Sequence, residues 1–303
     1  MGVVMAAFQF EERDGVGVLT FDVPDQKINT FSQHVLRELS DMLGELEKRT
    51  DLKGLLFHSG KPGQFIAGAD LNELGALVQS SAEDITRGVV VGHELFDRVS
   101  RLPFPTVALI DGACMGGGTE LILSMDARIA SDNPKTKIGL PETKIGLYPA
   151  WGGTQRLPRW IGISAAIEMI CSGAPIDAAK AVSVGLVFDA VPAESLVDEG
   201  TRLLEHLRAS EEWTATRERI RRPLGLSDDQ MNFTFAVAEA QTRQQTKGHY
   251  PAPLAALRCM REGVNRTLDE GLEVERDLAP KVFGSPISAH LIGVFFKTNR
   301  VAR

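Results

Sequence analysis

The sequence predicts an α/β protein in which strands and helices alternate before a helical region closes the chain. Three observations lead to this prediction. Short β-type runs alternate with helical patterns over the first two-thirds of the chain. Glycine-rich turns stand where predicted strands pass into helices, and from about Pro192 onward helical patterns interrupted by Gly and Pro take over. We therefore expect stacked ββα or βαβ units followed by a helical C-terminal region.

The elements of the first part follow one another in a regular order. Gly15–Asp22 is a predicted strand, and Phe31–Lys48 is a predicted helix because its apolar residues recur at helical spacing. Leu52–Gly60 has the apolar run of a buried strand, and a second helix is predicted through VVVGHELFDRVSRL. Pro105–Gly112 is the next strand, so the glycines that follow it lie at a strand-to-helix junction.

Composition excludes several classes of protein. The 303 residues are 43% hydrophobic and 24% charged, which is ordinary for a globular protein with a substantial core. The net charge of −7 and the pI of about 5.5 offer no overall positive field for nucleic acid or anionic lipid. The basic run Arg217–Arg222 leaves a local patch open, although a solvated helix face is the favoured interpretation. We expect no nucleic-acid partner.

Cysteine content and apolar runs bear on the compartment. Cys114, Cys171 and Cys259 are too few and too scattered for a disulfide framework or a zinc site. The N-terminus lacks a basic segment before its apolar patch, and no uncharged apolar run reaches the roughly 20 residues that span a bilayer. The sequence predicts a cytoplasmic protein with no bound metal and no membrane span.

The stretch GACMGGGTEL, Gly112–Leu121, raises the question of what three consecutive glycines do. It has neither the spacing of a phosphate-binding loop nor that of a dinucleotide turn, and Glu120 in the first helical turn would repel a phosphate. A backbone that approaches a ligand closely and then starts a helix leaves N–H donors that suit a developing oxyanion. At this point a glycine turn that only permits tight packing is an equal alternative.

Two further segments settle that choice by resemblance. They are GQFIAGADLNEL, Gly63–Leu74, and KIGLPETKIGLYPAWGGTQRLPRWIG, Lys137–Gly162. With GGGTE they resemble the hallmarks of the crotonase (enoyl-CoA hydratase/isomerase) family: the A-G-A-D turn, the G-G-G-x-E helix start and the P-E segment before G-G-T-Q-R-L. The resemblance extends over essentially the whole chain, and the tail from Tyr250 looks most like the hydratase half of bacterial multifunctional fatty-acid-oxidation enzymes.

The resemblance implies a fold and a division of the chain. The expected fold is a crotonase-like spiral of ββα units with a helical C-terminal region. Residues 1–200 would form the spiral core with the active site, and residues 201–303 would serve assembly and close the CoA site. In the multifunctional enzymes a dehydrogenase half follows, and the sequence leaves open whether this chain stands alone or is a fragment of a longer product.

The resemblance also implies the site. Ala69 and Gly117 correspond to the backbone donors of the oxyanion hole, and Glu120 and Glu142 to the two catalytic carboxylates. Glu120 is assigned mainly to activating water and Glu142 mainly to proton delivery, with a shared role left open. The substrate-binding candidates are Phe65, Ala67, Asp70, Ala150, Trp151 and Lys297.

Several of these assignments have structural alternatives. Core packing is as good an explanation for Phe65 and Trp151, a solvated side chain for Lys297, and a turn-stabilising role for Asp70. Ala150 departs from the family pattern, which usually has Pro-Gly where this chain has Pro149 and Ala150. Alanine keeps the N–H expected to hold the catalytic water but loses the conformational freedom of glycine.

The predicted reaction is hydration of a trans-2-enoyl-CoA to a 3-hydroxyacyl-CoA. No cofactor is expected, because coenzyme A enters as part of the thioester substrate. Δ3-to-Δ2 enoyl-CoA isomerisation through the same enolate is the alternative enzyme, and a crotonase-fold RNA-binding or scaffold protein is the alternative from another class. The resemblance further implies a homo-oligomer, a trimer or a hexamer, with a thiolase or dehydrogenase as a possible partner.

Overall fold

A computed structural model describes residues 6–301, which form two compact units. The first unit comprises the chain up to Asp70, Leu95–Ile138 and Ile176–Arg219. The second unit comprises Leu71–Glu94, Gly139–Pro175 and the chain from Ile220 onward. Each unit is therefore assembled from separated segments. The predicted division at residue 200, between an active-site core and an assembly region, concerns roles and stays a prediction.

Strands and helices alternate as the sequence predicts. The strands within the described residues are β1 (Phe8–Arg13), β2 (Val16–Phe21), β3 (Gly54–Ser59), β4 (Gln64–Ile66), β5 (Thr106–Ile110), β6 (Ala113–Met115), β7 (Ala127–Ser131), β8 (Lys137–Gly139), β9 (Ile176–Asp177) and β10 (Ala190–Val191). The α-helices over the same part of the chain are α1 (Gln33–Leu46), α2 (Leu71–Leu77), α3 (Ala82–Ser100), α4 (Gly117–Ile122), α5 (Gly153–Ile161), α6 (Ile163–Ser172), α7 (Ala178–Ser183), α8 (Leu196–Ser210), α9 (Glu212–Arg221), α10 (Asp228–Thr246), α11 (Pro251–Gly263), α12 (Leu268–Phe283) and α13 (Pro286–Val301). Two short 3₁₀ helices cover Pro141–Ile145 and Ala193–Ser195.

The first unit is built on a six-stranded sheet with the order β1-β2-β3-β5-β7-β10. Only the edge pair β1–β2 is antiparallel, and the other neighbours run parallel. The inner strands β5 and β7 are buried along their whole length, as expected for parallel strands covered on both faces. Leu203 and Leu204 of α8 pack on Val107 and Ile129 of these strands, which places an apolar core on that face.

A smaller sheet with the order β4-β6-β8-β9 carries the glycine-rich turns. Its strands are two or three residues long, and β4 pairs with β6 in parallel. Because the carboxyl ends of neighbouring parallel strands lie at the same edge, the turns after β4 and β6 leave this sheet side by side. This arrangement positions the candidate site of the first unit.

The second unit is largely helical. Helices α10 and α12 each begin with a capping box, at Ser227 and Thr267, in which the cap side chain and the residue three positions later bond each other's backbone. Proline stands in the first turn of α11, where its missing N–H costs no hydrogen bond. The predicted helical character after Pro192 is confirmed. No helix within the described residues has the length and apolar character to cross a membrane.

Candidate active site

The turn after β4 is held by a bridge to Phe31 that does not use the backbone N–H group of Ala69. Phe31 forms a parallel bridge with Ala69: the Phe31 N–H donates to the Gly68 carbonyl at 2.9 Å, and the Asp70 N–H donates to the Phe31 carbonyl at 2.9 Å. In a parallel pair these bonds engage the peptide groups on either side of the bridged residue. The N–H of Ala69 itself therefore points away from Phe31.

The glycine triplet begins the short helix α4. Gly116 is the N-cap, with φ of 52° and ψ of −124°, and the helix starts at Gly117. The first N–H groups of any α-helix have no acceptor within the helix and lie at its positive end. The Gly117 N–H therefore lies at the positive end of α4, and its role as an oxyanion donor stays a prediction.

The two turns meet within the first unit. A Cβ atom added to Gly68, whose φ is +102°, would lie 3.2 Å from the Met115 carbonyl oxygen and 3.8 Å from the Gly117 nitrogen. A Cβ added to Gly118 would lie 2.7 Å from the Cβ of Ile66. Backbone therefore rests directly on backbone here, and the structure places the N–H groups of Ala69 and Gly117 on adjacent segments.

Glu120 lies in the first turn of α4 and is only 3% exposed. The helix that carries it is anchored at both ends. At the start, the Thr119 hydroxyl donates to the Cys114 carbonyl at 2.9 Å. At the end, the buried guanidinium of Arg128 donates to the carbonyls of Ile122 and Met125 at 3.1 Å each. These bonds hold the backbone of α4, from which the Glu120 side chain extends three residues after the Gly117 donor.

Glu142 belongs to the second unit and lies in the first turn of the 3₁₀ helix Pro141–Ile145. The residue is partly accessible, but its Oε2 atom is buried without a hydrogen-bond partner among the described residues. The pKa of this carboxyl is raised to about 8, chiefly by burial; its own N–H opposes the rise and the charge of Glu275 contributes to it. A carboxyl in this state is protonated at neutral pH and can deliver a proton.

Glu275, which the sequence interpretation missed, is fully buried on α12. Its carboxylate accepts hydrogen bonds from the N–H groups of Gly152 at 2.6 Å and Thr154 at 3.2 Å, from the Thr154 hydroxyl, and lies 2.8 Å from His93 Nε2. One signal was available: the residue occurs three positions after Leu272 and three before Leu278, on the apolar stripe of its helix. A carboxylate on that stripe must find buried partners.

The remaining candidates of the first unit lie around the turn after β4. Phe65 is 1% exposed, and its ring packs edge-on against Phe57 with centroids 5.9 Å apart. Ala67 is exposed, and its N–H donates to the Asn29 carbonyl at 2.9 Å. Asp70 is half-buried, and its backbone closes the bridge to Phe31. Their substrate-binding roles stay predictions.

The candidates of the second unit lie on two different elements. Ala150 is buried just before Trp151, whose indole Nε1 donates to the Gly88 carbonyl at 3.0 Å. A Cβ added to Gly92 would lie only 2.1 Å from the Trp151 ring, so the ring packs directly on α3. Lys297 is exposed on α13 and borders a groove of about 740 Å³ that α2 and α13 line.

Within residues 6–301 no group of three or more His, Cys, Asp or Glu side chains is arranged to hold a metal ion. The expectation that the reaction needs neither metal nor cofactor stays a prediction. What the geometry offers is a pair of backbone donors with a buried carboxylate in the first unit, and a proton-bearing carboxyl in the second.

Comparison with known proteins shows what the chain is similar to. The family model described as enoyl-CoA hydratase/isomerase matches residues 11–249. The chain is 38% identical over 295 residues to the fatty acid oxidation complex subunit alpha of Shewanella amazonensis, covering 96% of this chain and 41% of that protein. It is 37% identical over 301 residues to the protein of the same name from Idiomarina loihiensis, covering 98% of this chain and 42% of that one. The chain thus spans about two fifths of the length of these relatives.

A solved structure supports the fold. The enoyl-CoA hydratase from Bacillus anthracis superposes with a TM-score of 0.63 at 28% identity, covering 86% of this chain and 98% of that one. The predicted crotonase-like fold is confirmed, as is the predicted similarity to the multifunctional fatty-acid-oxidation proteins.

Proposed function

Because the chain belongs to the enoyl-CoA hydratase/isomerase family, we propose that it adds water to a trans-2-enoyl-CoA thioester and forms a 3-hydroxyacyl-CoA. The addition is syn and serves fatty-acid β-oxidation, the process for which the similar subunits are named. The observation that carries this proposal is the close approach of the Gly68 and Gly117 backbones, with Ala69 and Gly117 on adjacent segments and Glu120 buried on the helix that follows.

In the proposed reaction the thioester carbonyl oxygen accepts hydrogen bonds from the N–H groups of Ala69 and Gly117. Attack on the conjugated double bond moves negative charge onto this oxygen and forms an enolate. Fixed donors stabilise that charge without having to reorganise, and one such donor is worth about a hundredfold to a thousandfold in rate. The positive end of α4 adds to the stabilisation.

The two carboxylates divide the proton transfers. Glu120 takes a proton from water as the water oxygen bonds to carbon 3 of the acyl chain. The proton held by Glu142 then passes to carbon 2, and the double bond is lost as the carbonyl is restored. The pKa of about 8 that burial gives Glu142 supports its role as the donor at neutral pH. Each role is worth roughly a hundredfold to ten-thousandfold in rate.

Isomerisation of a Δ3-enoyl-CoA is the second candidate, and the same property of Glu142 favours it. With a pKa of about 8, the ionised form of Glu142 stays accessible near neutral pH, and that form can take a proton from carbon 2 and return it to carbon 4. The two reactions differ in the fate of solvent. Hydration in ¹⁸O-labelled water places the label in the product, whereas isomerisation leaves the product unlabelled.

The experiment that tests the proposal is a panel of trans-2-enoyl-CoA substrates of increasing chain length, followed by loss of the conjugated thioester absorbance. Glu120→Gln and Glu142→Gln should each lower kcat at least about a hundredfold. The fall in kcat of the double variant should be much smaller than the product of the two single falls, because both residues serve the same reaction step. Glu168→Gln, at an exposed position, is the matched control and should retain wild-type rates. Flat traces across the panel with wild-type enzyme would remove the hydratase proposal.

Location and assembly complete the proposal. The three cysteines are free thiols, which fits a reducing compartment and supports a cytoplasmic location. A homo-oligomer, with a thiolase or dehydrogenase as partner, is proposed from the family resemblance, and the name of the relatives, subunit alpha of a complex, supports assembly with another chain. Light scattering on the purified chain, alone and with a candidate thiolase, measures both.

A further inference from the structure

One residue of α12 holds the backbone segment that follows Glu142. The Glu275 carboxylate receives the N–H groups of Gly152 and Thr154 and the Thr154 hydroxyl, while its main-chain carbonyl accepts the Tyr148 hydroxyl at 2.7 Å. His93 Nε2 lies 2.8 Å from the carboxylate oxygen that Gly152 also binds. The segment from Tyr148 to Thr154 is therefore attached to a single residue at both of its ends.

This segment contains the backbone group on which the proposed reaction depends. Ala150, whose N–H is expected to hold the reacting water, lies between the two attachment points. Trp151 next to it is fixed separately, through the Gly88 carbonyl and the surface of α3. At the other side, the Leu147 N–H donates to the Glu142 carbonyl at 3.0 Å, so the segment also continues directly into the 3₁₀ helix. Moving either attachment point would move Ala150 and Glu142 with it.

We propose that Glu275 is a positioning residue for the hydration reaction, fixing the backbone of Ala150 and the place of Glu142 without itself touching the substrate. The inference deepens the proposed function and rests on it. The number of donors around Glu275 supports this role. Its two carboxylate oxygens accept hydrogen bonds from two backbone N–H groups and one hydroxyl, and a histidine nitrogen lies beside them. A fully buried carboxylate with so many donors fixes its surroundings more firmly than neutral groups of the same shape would.

The charge of Glu275 has a second consequence. A negative charge disfavours ionisation of a nearby carboxyl, and Glu275 accordingly adds to the burial that raises the pKa of Glu142 to about 8. Neighbouring groups are neutral or solvated: burial raises the pKa of the Cys259 thiol well above its ordinary value and that of Cys171 to about 12. Among the described side chains, the remaining ionisable groups on the 3₁₀ helix and on α6 and α13, which pack against it, are exposed and screened by solvent; they are Lys144, Glu168, His290 and Lys297.

The experiment compares three variants in the hydration assay over a range of pH. Glu275→Gln keeps the shape and removes the charge, and Tyr148→Phe removes one attachment point but leaves the charge in place. Asp126→Asn is the matched control, because Asp126 is also a buried carboxylate that accepts a backbone N–H at 2.8 Å, a threonine hydroxyl at 2.9 Å and a cationic side chain, that of Arg217. It belongs to the first unit and has no part in the proposed chemistry.

Glu275→Gln should lower kcat at least about tenfold with little change in KM, because groups that orient the reaction act mainly on the transition state. The falling alkaline side of its kcat profile should move to lower pH by about half a unit or more, since Glu142 then loses the neighbouring charge. Tyr148→Phe should lower kcat by a few-fold, an effect of about 1 kcal/mol for one lost hydrogen bond, and leave the alkaline side where it is. Asp126→Asn should lose stability but keep both the rate and the profile.

The results distinguish a failure of the positioning role from a failure of the proposed hydratase function. If wild-type enzyme hydrates the substrate and Glu275→Gln matches Asp126→Asn in kcat and in pH profile, the positioning role is wrong while the proposed function stands. If Glu275→Gln does not fold, Tyr148→Phe decides, and wild-type kcat in that variant overturns the inference. If wild-type enzyme itself shows no hydration, the proposed function has failed and the inference falls with it.

Discussion

Replacing Gly68 by alanine tests the donor pair most directly, because this glycine supports the Ala69 N–H and touches the turn before Gly117. Its φ of +102° is a conformation that residues with a Cβ rarely adopt, and forcing alanine into it costs about 1–2 kcal/mol of folding free energy. The added Cβ would also lie 3.2 Å from the Met115 carbonyl oxygen, closer than an ordinary contact. The two backbones must then separate by a few tenths of an ångström, which displaces Ala69 relative to Gly117.

The expected loss of activity follows from that displacement. Removing an oxyanion donor costs about a hundredfold to a thousandfold in rate, so a partial displacement should lower kcat by roughly tenfold to a hundredfold. Gly63→Ala is the matched control: its φ is also positive, +66°, but the added Cβ would meet nothing within 4 Å. It should cost about 1 kcal/mol of stability and leave kcat within about twofold. Urea unfolding and initial hydration rates measure both effects, and equal kcat values for the two variants would refute the argument.

Three further predictions concern charge and buried hydrogen bonds. In wild-type enzyme kcat should fall as pH rises through about 8, because Glu142 must hold a proton to deliver it; a flat pH–rate profile across that range would contradict this. The same carboxyl should limit stability: its pKa rises from 4.5 to about 8 on folding, so its contribution is complete below the unfolded value and is lost as pH rises through the folded value. Glu142→Gln should therefore gain stability over wild type at pH 9 by about 4 kcal/mol more than at pH 5, in urea unfolding at the two pH values. Arg128→Met should cost at least about 3 kcal/mol in urea unfolding, since the carbonyls of Leu186, Ile122 and Met125 would lose their buried donor; a loss under 1 kcal/mol would show that they find other partners.

Local sequence patterns predicted those strands and helices that a single continuous segment forms. The predicted strand Gly15–Asp22 corresponds to β2, and the predicted helix Phe31–Lys48 corresponds to α1, which begins after the capping side chain of Ser32. Both depend on periodicity and capping, which act over a few residues. The glycine-rich turns also stood out locally, but the residues alone left tight packing as an equal alternative, and the family resemblance supplied the interpretation as donor turns.

Contacts between distant segments could not be predicted in this way. Glu275 joins groups more than 120 positions away in the chain, and its helix has several other acidic residues that differ from it only in the face they occupy. Likewise, each compact unit collects segments from separate parts of the sequence, a grouping that local patterns do not reveal. Periodicity indicates which face of a helix is apolar, but tertiary packing decides which carboxylate on that face is buried.

The two carboxylates of the second unit show why this burial bears on function. An apolar core would avoid both of them, since a buried carboxyl without partners costs stability and a second negative charge nearby raises that cost. Glu275 is compensated by its several donors, whereas the Oε2 atom of Glu142 has no hydrogen-bond partner among the described residues and its carboxyl has a pKa of about 8. The first environment therefore holds its carboxyl in place, whereas the second disfavours ionisation of its carboxyl. Opposite environments for two neighbouring carboxyls are typical of sites that move protons, which supports the proposed role of Glu142 as the proton donor.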